Sequence, residues 1–260
     1  MKANSLKIEA GIANTLARSY SPLLYFRKLK ELVESVCEGV DCSSFDKYDF
    51  HNHINKVLCA SYAGEEIIKY RIAKKYLKKD TVGAFELNVK NSRADFVSIN
   101  GVTRCYEIKT NLDNLGKLKK QAEDYSSVFE YNSVLLDKKH LQQAMHLLPM
   151  QYGIFSIELG SLKCLRAAKK NDALCSRSQL EMLTSRELNI HFGHTKEDLE
   201  IRLGRFSAVK INNEFKKALK LRYAERWNFV KKHQDIILPI DFQFFFSTKE
   251  SPSLLYQKRF

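Results

Sequence analysis

Two carboxylates, Asp95 and Glu107, and one ammonium, Lys109, stand on adjacent β-type runs, residues 92–99 and 102–109, separated by Asn100-Gly101. Asn-Gly is the strongest short-range hairpin signal, because both residues tolerate the positive φ of a type I′ turn. Side chains alternate along a strand, so Glu107 and Lys109 leave one face while Ile108 enters the core. The hairpin then folds Asp95 back beside that face. Groups converging in this way suit metal-assisted hydrolysis of a phosphodiester. A hard divalent cation, Mg2+ or Mn2+, prefers oxygen ligands and is usually held by one or two carboxylates. Asp95 and Glu107 supply those, and the Ile108 backbone carbonyl a third oxygen. The cation would lower the pKa of an attacking water, and Lys109 would orient that water or neutralise charge on the phosphate. A further acid, Glu65, follows Gly64 at the start of a predicted helix. Ile68 and Ile72 continue its face toward the core, whereas Glu66 falls in phase with Lys69 and Tyr70. Both acids also suit the positive end of a helix dipole, so capping is the competing reading.

Glu-x-Lys alone means little in a chain that is 28% charged, where it is usually a solvated strand face. Here spacing, hairpin and acid-bearing upstream helix agree. Together these residues resemble the PD-(D/E)XK nuclease superfamily, with Arg93-Ala94-Asp95 in place of its Pro-Asp dipeptide. Gln121 and Tyr125 match the Gln-x-x-x-Tyr motif of RecB-like exonuclease branches; four residues apart, they share one helical face. Tyr125 also reads as ordinary core beside Leu118 and Phe129. The resemblance covers residues 60–158 and looks closest to compact bacterial and phage-type members. It implies a restriction-endonuclease-like α/β core and a Mg-dependent nuclease, with DNA the favoured substrate and a homodimer as in many members of that fold. It also implies catalytic parts for Glu65, Asp95, Glu107, Lys109, Gln121 and Tyr125.

The elements that must position these residues follow from hydrophobic periodicity. Residues 6–38 have helical spacing that ends at Gly39, and further helices are expected from Phe50 to Tyr62 and from Gly64 to Lys79. Residues 85–89 form a strand, then the hairpin, then a helix capped by Asp113. Strands at 133–136 and 152–157 flank a helix from His140 to Leu148. This order predicts a mixed sheet of four to five strands flanked by helices, with the β pattern ending near Leu159-Gly160. Three regions result: a helical N-terminal extension (1–60), the core (61–160), and a basic, mainly helical C-terminal region (161–260). Within the last, 180–188 and 195–203 read as short helices broken at Gly193-His194. A longer helix over 213–232 carries a core stripe of Phe215, Leu219, Tyr223 and Trp227. Its Lys216, Lys217, Lys220, Arg226, Lys231 and Lys232 suit sequence-independent phosphate contacts.

Lys and Arg number 43 against 30 Asp and Glu, a net charge of +13. Residues 161–260 hold 20 of those basic residues and 11 of the acidic ones. Such an excess favours a polyanionic partner, nucleic acid first, through counterion release. The six cysteines form no Cys-x-x-Cys pair and no zinc spacing and lack the cluster an iron–sulfur centre needs; reduced thiols in a cytoplasmic protein are expected. No apolar run approaches the ~18 residues of a membrane span. His51-Asn52-His53 spells the letters of an HNH nuclease but is consecutive within a predicted helix. The rival to a nuclease is a non-cleaving nucleic-acid-binding or regulatory protein on the same fold. An RNA-directed nuclease in a defence or toxin setting is the third reading.

Overall fold

The computed structural model describes residues 6–37, 39–158, 161–193 and 198–257. In chain order the helices and strands are α1 (Ala10–Ser19), α2 (Phe26–Val36), α3 (Lys47–Ser61) and α4 (Glu65–Leu77), then β1 (Val82–Val89), β2 (Ser92–Asn100) and β3 (Val102–Lys109). There follow α5 (Leu118–Ser126), β4 (Tyr131–Leu136), α6 (Leu141–Leu147), β5 (Gly153–Glu158) and β6 (Ser161–Arg166). The remainder is helical: α7 (Ser176–Glu181), α8 (Ser185–Phe192), α9 (Leu199–Arg205), α10 (Ala208–Lys232), α11 (Phe242–Thr248) and α12 (Pro252–Leu255). The chain divides into two compact units, Met1–Arg71 with Asn228–Phe260, and Ile72–Trp227. The boundaries fall inside α4 and α10.

In the first unit the helical spacing over 6–38 becomes two helices. Pro22 has no N–H and drives the residue before it into an extended conformation, so α1 stops before Ser21-Pro22. Helix α3 starts earlier than its apolar pattern, because Asp46 and Asp49 form a capping box: Asp49 N donates to Asp46 Oδ1 at 2.9 Å and Asp46 N to Asp49 Oδ2 at 3.0 Å. Leu16, Leu29, Val33, Phe50, Ile54 and Leu58 make the core of this unit. The C-terminal segment is tied to α3 by a buried polar cluster. Asp241 Oδ2 accepts from Tyr20 at 2.9 Å and from Tyr256 at 2.5 Å, and Ile240 N donates to Asn55 Oδ1 at 2.9 Å. His51 joins this cluster through Tyr20, 2.8 Å away.

The second unit is built on one sheet of six strands in the order β1-β2-β3-β4-β5-β6 among the described residues. Strands β1, β2 and β3 form an antiparallel meander; β3, β4 and β5 run parallel; β6 returns antiparallel to β5. A mixed sheet flanked by helices is therefore present, with β6 beyond the four to five strands expected. That strand escapes a periodicity argument because it is a solvent-exposed edge, Ser-Leu-Lys-Cys-Leu-Arg, with no apolar face. The β2–β3 turn also differs from type I′. Only Gly101 takes a positive φ, 69°, while Asn100 stays paired with Val102.

Helix α5 begins at Leu118 and is not capped by Asp113, whose carboxylate instead accepts from Thr110 N and Oγ1, each at 2.7 Å. The expected helix at 180–188 resolves into α7 and α8, because Thr184 and Glu187 form a capping box that starts a new helix. Leu159, Gly160 and residues 194–197, where the β pattern and the helix pair were expected to break, lie outside the described residues. Helix α10 lays Phe215, Leu219 and Ile211 against Leu87, Val97 and Tyr125. Trp227 packs so closely over β1 that a Cβ on Gly83 would sit 2.4 Å from its ring. None of the six cysteines is in a disulfide, and among the described residues no helix is long and apolar enough to cross a membrane.

Candidate functional site

Strand β3 lies inside the sheet between antiparallel β2 and parallel β4, with the face of Thr103, Cys105 and Glu107 buried and that of Val102, Arg104 and Tyr106 half-buried. That placement, not strand alternation alone, buries Glu107, which is only 3% exposed. Glu107 and Lys109 share a face, and Gln121 and Tyr125 share the face of α5 that packs over them. Glu107 Oε1 accepts from Lys109 Nζ at 2.6 Å and from Gln121 Nε2 at 2.5 Å; Oε2 accepts from the Tyr125 hydroxyl at 2.8 Å. The structure thus brings together four of the residues singled out in the sequence. Burial raises the Glu107 carboxyl above its ordinary value despite the lowering influence of Lys109, Tyr125 and Gln121. Burial works to lower the Lys109 ammonium, but the Glu107 carboxylate outweighs it and holds that pKa up. Burial and then Glu107 also push the Tyr125 hydroxyl far up, so it remains a donor.

Asp95 plays a different part. The β2–β3 ladder ends at Phe96 opposite Tyr106, and beyond it Asp95 Oδ2 takes the Ile108 N–H at 2.6 Å. A side chain has replaced a backbone acceptor, and the two strands diverge there. In an extended strand a residue's N–H and C=O point to the same side, so the Ile108 carbonyl also faces the Asp95 side. The next carbonyl, that of Lys109, points to the other side and accepts from Asp137 N at 2.8 Å.

The acid that meets Asp95 is Glu86, which sequence reasoning missed. The register of β1 on β2 pairs Phe85 with Phe96 and Leu87 with Ala94, which sets Glu86 opposite Asp95; that one pairing is absent from the ladder. Glu86 adopts φ 54°, a left-handed conformation costly for a residue with a Cβ. The two residues bring carboxylate oxygens within 4.8 Å of each other. Facing like charges destabilise a sheet; here Arg93 Nε offsets part of the repulsion, 2.5 Å from Glu86 Oε2. This acidic cluster has the oxygen chemistry to hold a divalent cation. Its signal was an acid in mid-strand, Phe85-Glu86-Leu87, whose register on β2 the sequence did not specify. Glu65 opens α4 in the first unit and forms an ion pair with Lys69.

Four of the lysines of α10 have internal partners. Lys216 Nζ donates to Gly101 O at 2.8 Å and to Glu130 Oε1 at 3.2 Å. Lys217 and Lys210 both reach Glu214 Oε1 at 2.9 Å, and Lys220 faces Asp80 at 3.5 Å. Hydrogen bonds from His191, Lys210 and Lys217 overcome the effect of burial and hold the Glu214 carboxyl down to about 2. Arg226 and Lys232 are exposed, and Lys231 is half-buried.

The family model described as "Bacteriophage P4 protein cII" matches residues 61–245. Among curated proteins none matches the chain. A solved protein of unknown function from Silicibacter pomeroyi is similar over 52% of this chain and 97% of its own, at 16% identity and a TM-score of 0.35. The family match overturns the assignment to the PD-(D/E)XK nucleases, and with it the expected Mg-dependent nuclease and hydrolase activity. Glu107 was expected to ligate a metal, yet both its oxygens are engaged by donors from its own neighbours. Lys109, expected to work on a water, is held by Glu107.

Proposed function

We propose that this chain, which belongs to the bacteriophage P4 protein cII family, is a nucleic-acid-binding regulatory protein that does not cleave its target. The observation that carries the reading is the family match over 61–245, which spans the whole sheet and all of α10 and names a phage protein rather than a hydrolase. A net charge of +13 supports a polyanionic partner, with DNA favoured. The run of helix, three-stranded meander, helix and strand from α4 to β4 supports reading the sheet as a restriction-endonuclease-like scaffold without hydrolysis. On that scaffold the Glu107–Lys109–Gln121–Tyr125 network is a brace joining the central strand to α5. Such a protein would act in the cytoplasm, where nucleic acid is accessible.

The test combines binding and cleavage. Fluorescence anisotropy with labelled DNA should show affinity that falls steeply with salt. Plasmid, linear DNA and RNA incubated with Mg2+ or Mn2+ should remain intact at every protein concentration. Absence of binding at low salt would remove the reading, as would metal-dependent cleavage lost in Asp95→Ala.

We further propose that the Glu86–Asp95 cluster takes Mg2+ or Mn2+ as a structural ion. A cation between two facing carboxylates cancels their repulsion at the place where β1 is strained, and both supply hard oxygen ligands. Titration with Mn2+, followed by its paramagnetic resonance signal, should show one bound ion that Asp95→Asn eliminates. An unchanged signal in that variant would place the ion elsewhere.

A further inference from the structure

We propose that nucleic acid is gripped on the exposed edge of the sheet, by Lys163, Lys169 and Lys170 on β6 and the extended segment after it, and not chiefly by the lysines of α10. The inference rests on the nucleic-acid reading above and locates the contact surface.

Counterion release rewards only cations that the protein has not already neutralised. Four of the α10 lysines fail that condition: Lys210 and Lys217 share the ionised Glu214, Lys216 is held by Glu130, and Lys220 faces Asp80, which leaves Arg226 and Lys232 as the exposed cations near its end. Residues 161–170 hold four basic residues and no acidic one. Lys163, Lys169 and Lys170 are exposed. Among the described residues their side chains enter no hydrogen bond or ion pair. The fourth cation, Arg166, is anchored without being neutralised, because it donates to the carbonyls of Tyr152 at 2.7 Å and Pro149 at 3.0 Å.

The backbone adds to this. Among the described residues strand β6 pairs only with β5, so its outer edge presents unused N–H groups, and phosphate oxygens accept from backbone N–H as well as from lysine. Lys169 and Lys170 line an open groove of about 470 Å³ with Gln151 and Asp172, the one acid in its lining. An extended phosphodiester backbone along β6 and into this groove would meet the three free lysines in turn. The contacts are to phosphate, so the grip is largely independent of sequence.

Anisotropy titrations from 50 to 300 mM salt would compare wild type with Lys163→Ala/Lys169→Ala/Lys170→Ala and with Lys217→Ala/Lys220→Ala. The triple variant should lose about tenfold or more in affinity, and its plot of log affinity against log salt should be shallower by about 2–3. The double variant should change less on both measures. Cys164, exposed on β6 beside Lys163, gives an independent readout. In a Cys175→Ser background, DNA should slow its alkylation, followed by peptide mass mapping. If wild type binds DNA but the triple variant keeps its affinity and slope, or Cys164 is alkylated equally with and without DNA, the surface is wrongly placed. Should wild type bind polyglutamate through these lysines and not DNA, the partner is an acidic protein segment and the proposal falls. If wild type binds no nucleic acid, the functional reading itself fails.

Discussion

Glu107 shows how a single buried carboxylate is stabilised by its neighbours. Three donors reach its two oxygens, and each is satisfied only while the carboxylate is present. Glu107→Ala should cost about 3–5 kcal/mol, because it leaves a buried ammonium unpaired. Tyr125→Phe, which removes one donor, should cost about 1–3 kcal/mol. Urea denaturation measures both, and equal small losses would show that the network is not cooperative. At this scale the sequence was informative: Asp95, Glu107, Lys109, Gln121 and Tyr125 are all buried or half-buried near one another. It did not say what their proximity is for. An acid beside a lysine reads the same whether its oxygens are offered to a metal or taken by the lysine, because the sequence does not show its partners in space. Glu86 was hidden because its role depends on the register of β1 against β2.

Among the elements, the meander was legible because Asn100-Gly101 between alternating runs has few other solutions, although Gly101 alone supplies the positive φ. The packing of α10 on β1 depends on one glycine. A Cβ at position 83 would come within 2.4–2.8 Å of three Trp227 ring atoms, and the ring is buried at 0% exposure. Gly83→Ala should therefore cost about 1–3 kcal/mol by overpacking, with a change in Trp fluorescence, since Trp227 is the chain's sole tryptophan. An unchanged spectrum and stability would show that the helix can shift freely. Strand β6 and the start of α3 were misread for opposite reasons. The strand carries no apolar pattern, and the helix start is fixed by a polar capping box that apolar periodicity does not register.

For the whole molecule, the first unit joins the two ends of the chain, and Asp241 is where they are held. Burial raises its carboxyl from 3.8 to about 6, although Tyr256, Tyr20 and Asn55 all donate to it and lower it. The folded form thus binds a proton more tightly than the unfolded chain does. Its contribution is full below the unfolded value and declines as pH rises from about 4 to about 6, by about 3 kcal/mol across that window. Stability measured against pH should fall through this range in wild type relative to Asp241→Asn; identical curves would remove Asp241 as the cause. Deleting residues 233–260 should strip Asn55 and Tyr20 of these partners and raise amide exchange in α3. Unaltered exchange there would show that α3 is held without the C-terminal segment.

The sequence by itself determined what local chemistry can determine: the helices with an apolar stripe, the hairpin, the net charge, and which polar residues would lie near β3. These depend on neighbours a few residues apart. Tertiary structure decided how the charges are spent, because each pairing joins residues distant in the chain. Glu107 is engaged by α5, Glu86 faces Asp95 across a ladder, and Lys210, Lys216, Lys217 and Lys220 of α10 are paired with Glu214, Glu130 and Asp80. Lys163, Lys169 and Lys170, on β6 and the segment after it, are exposed and among the described residues enter no ion pair, in a stretch that no local pattern marked.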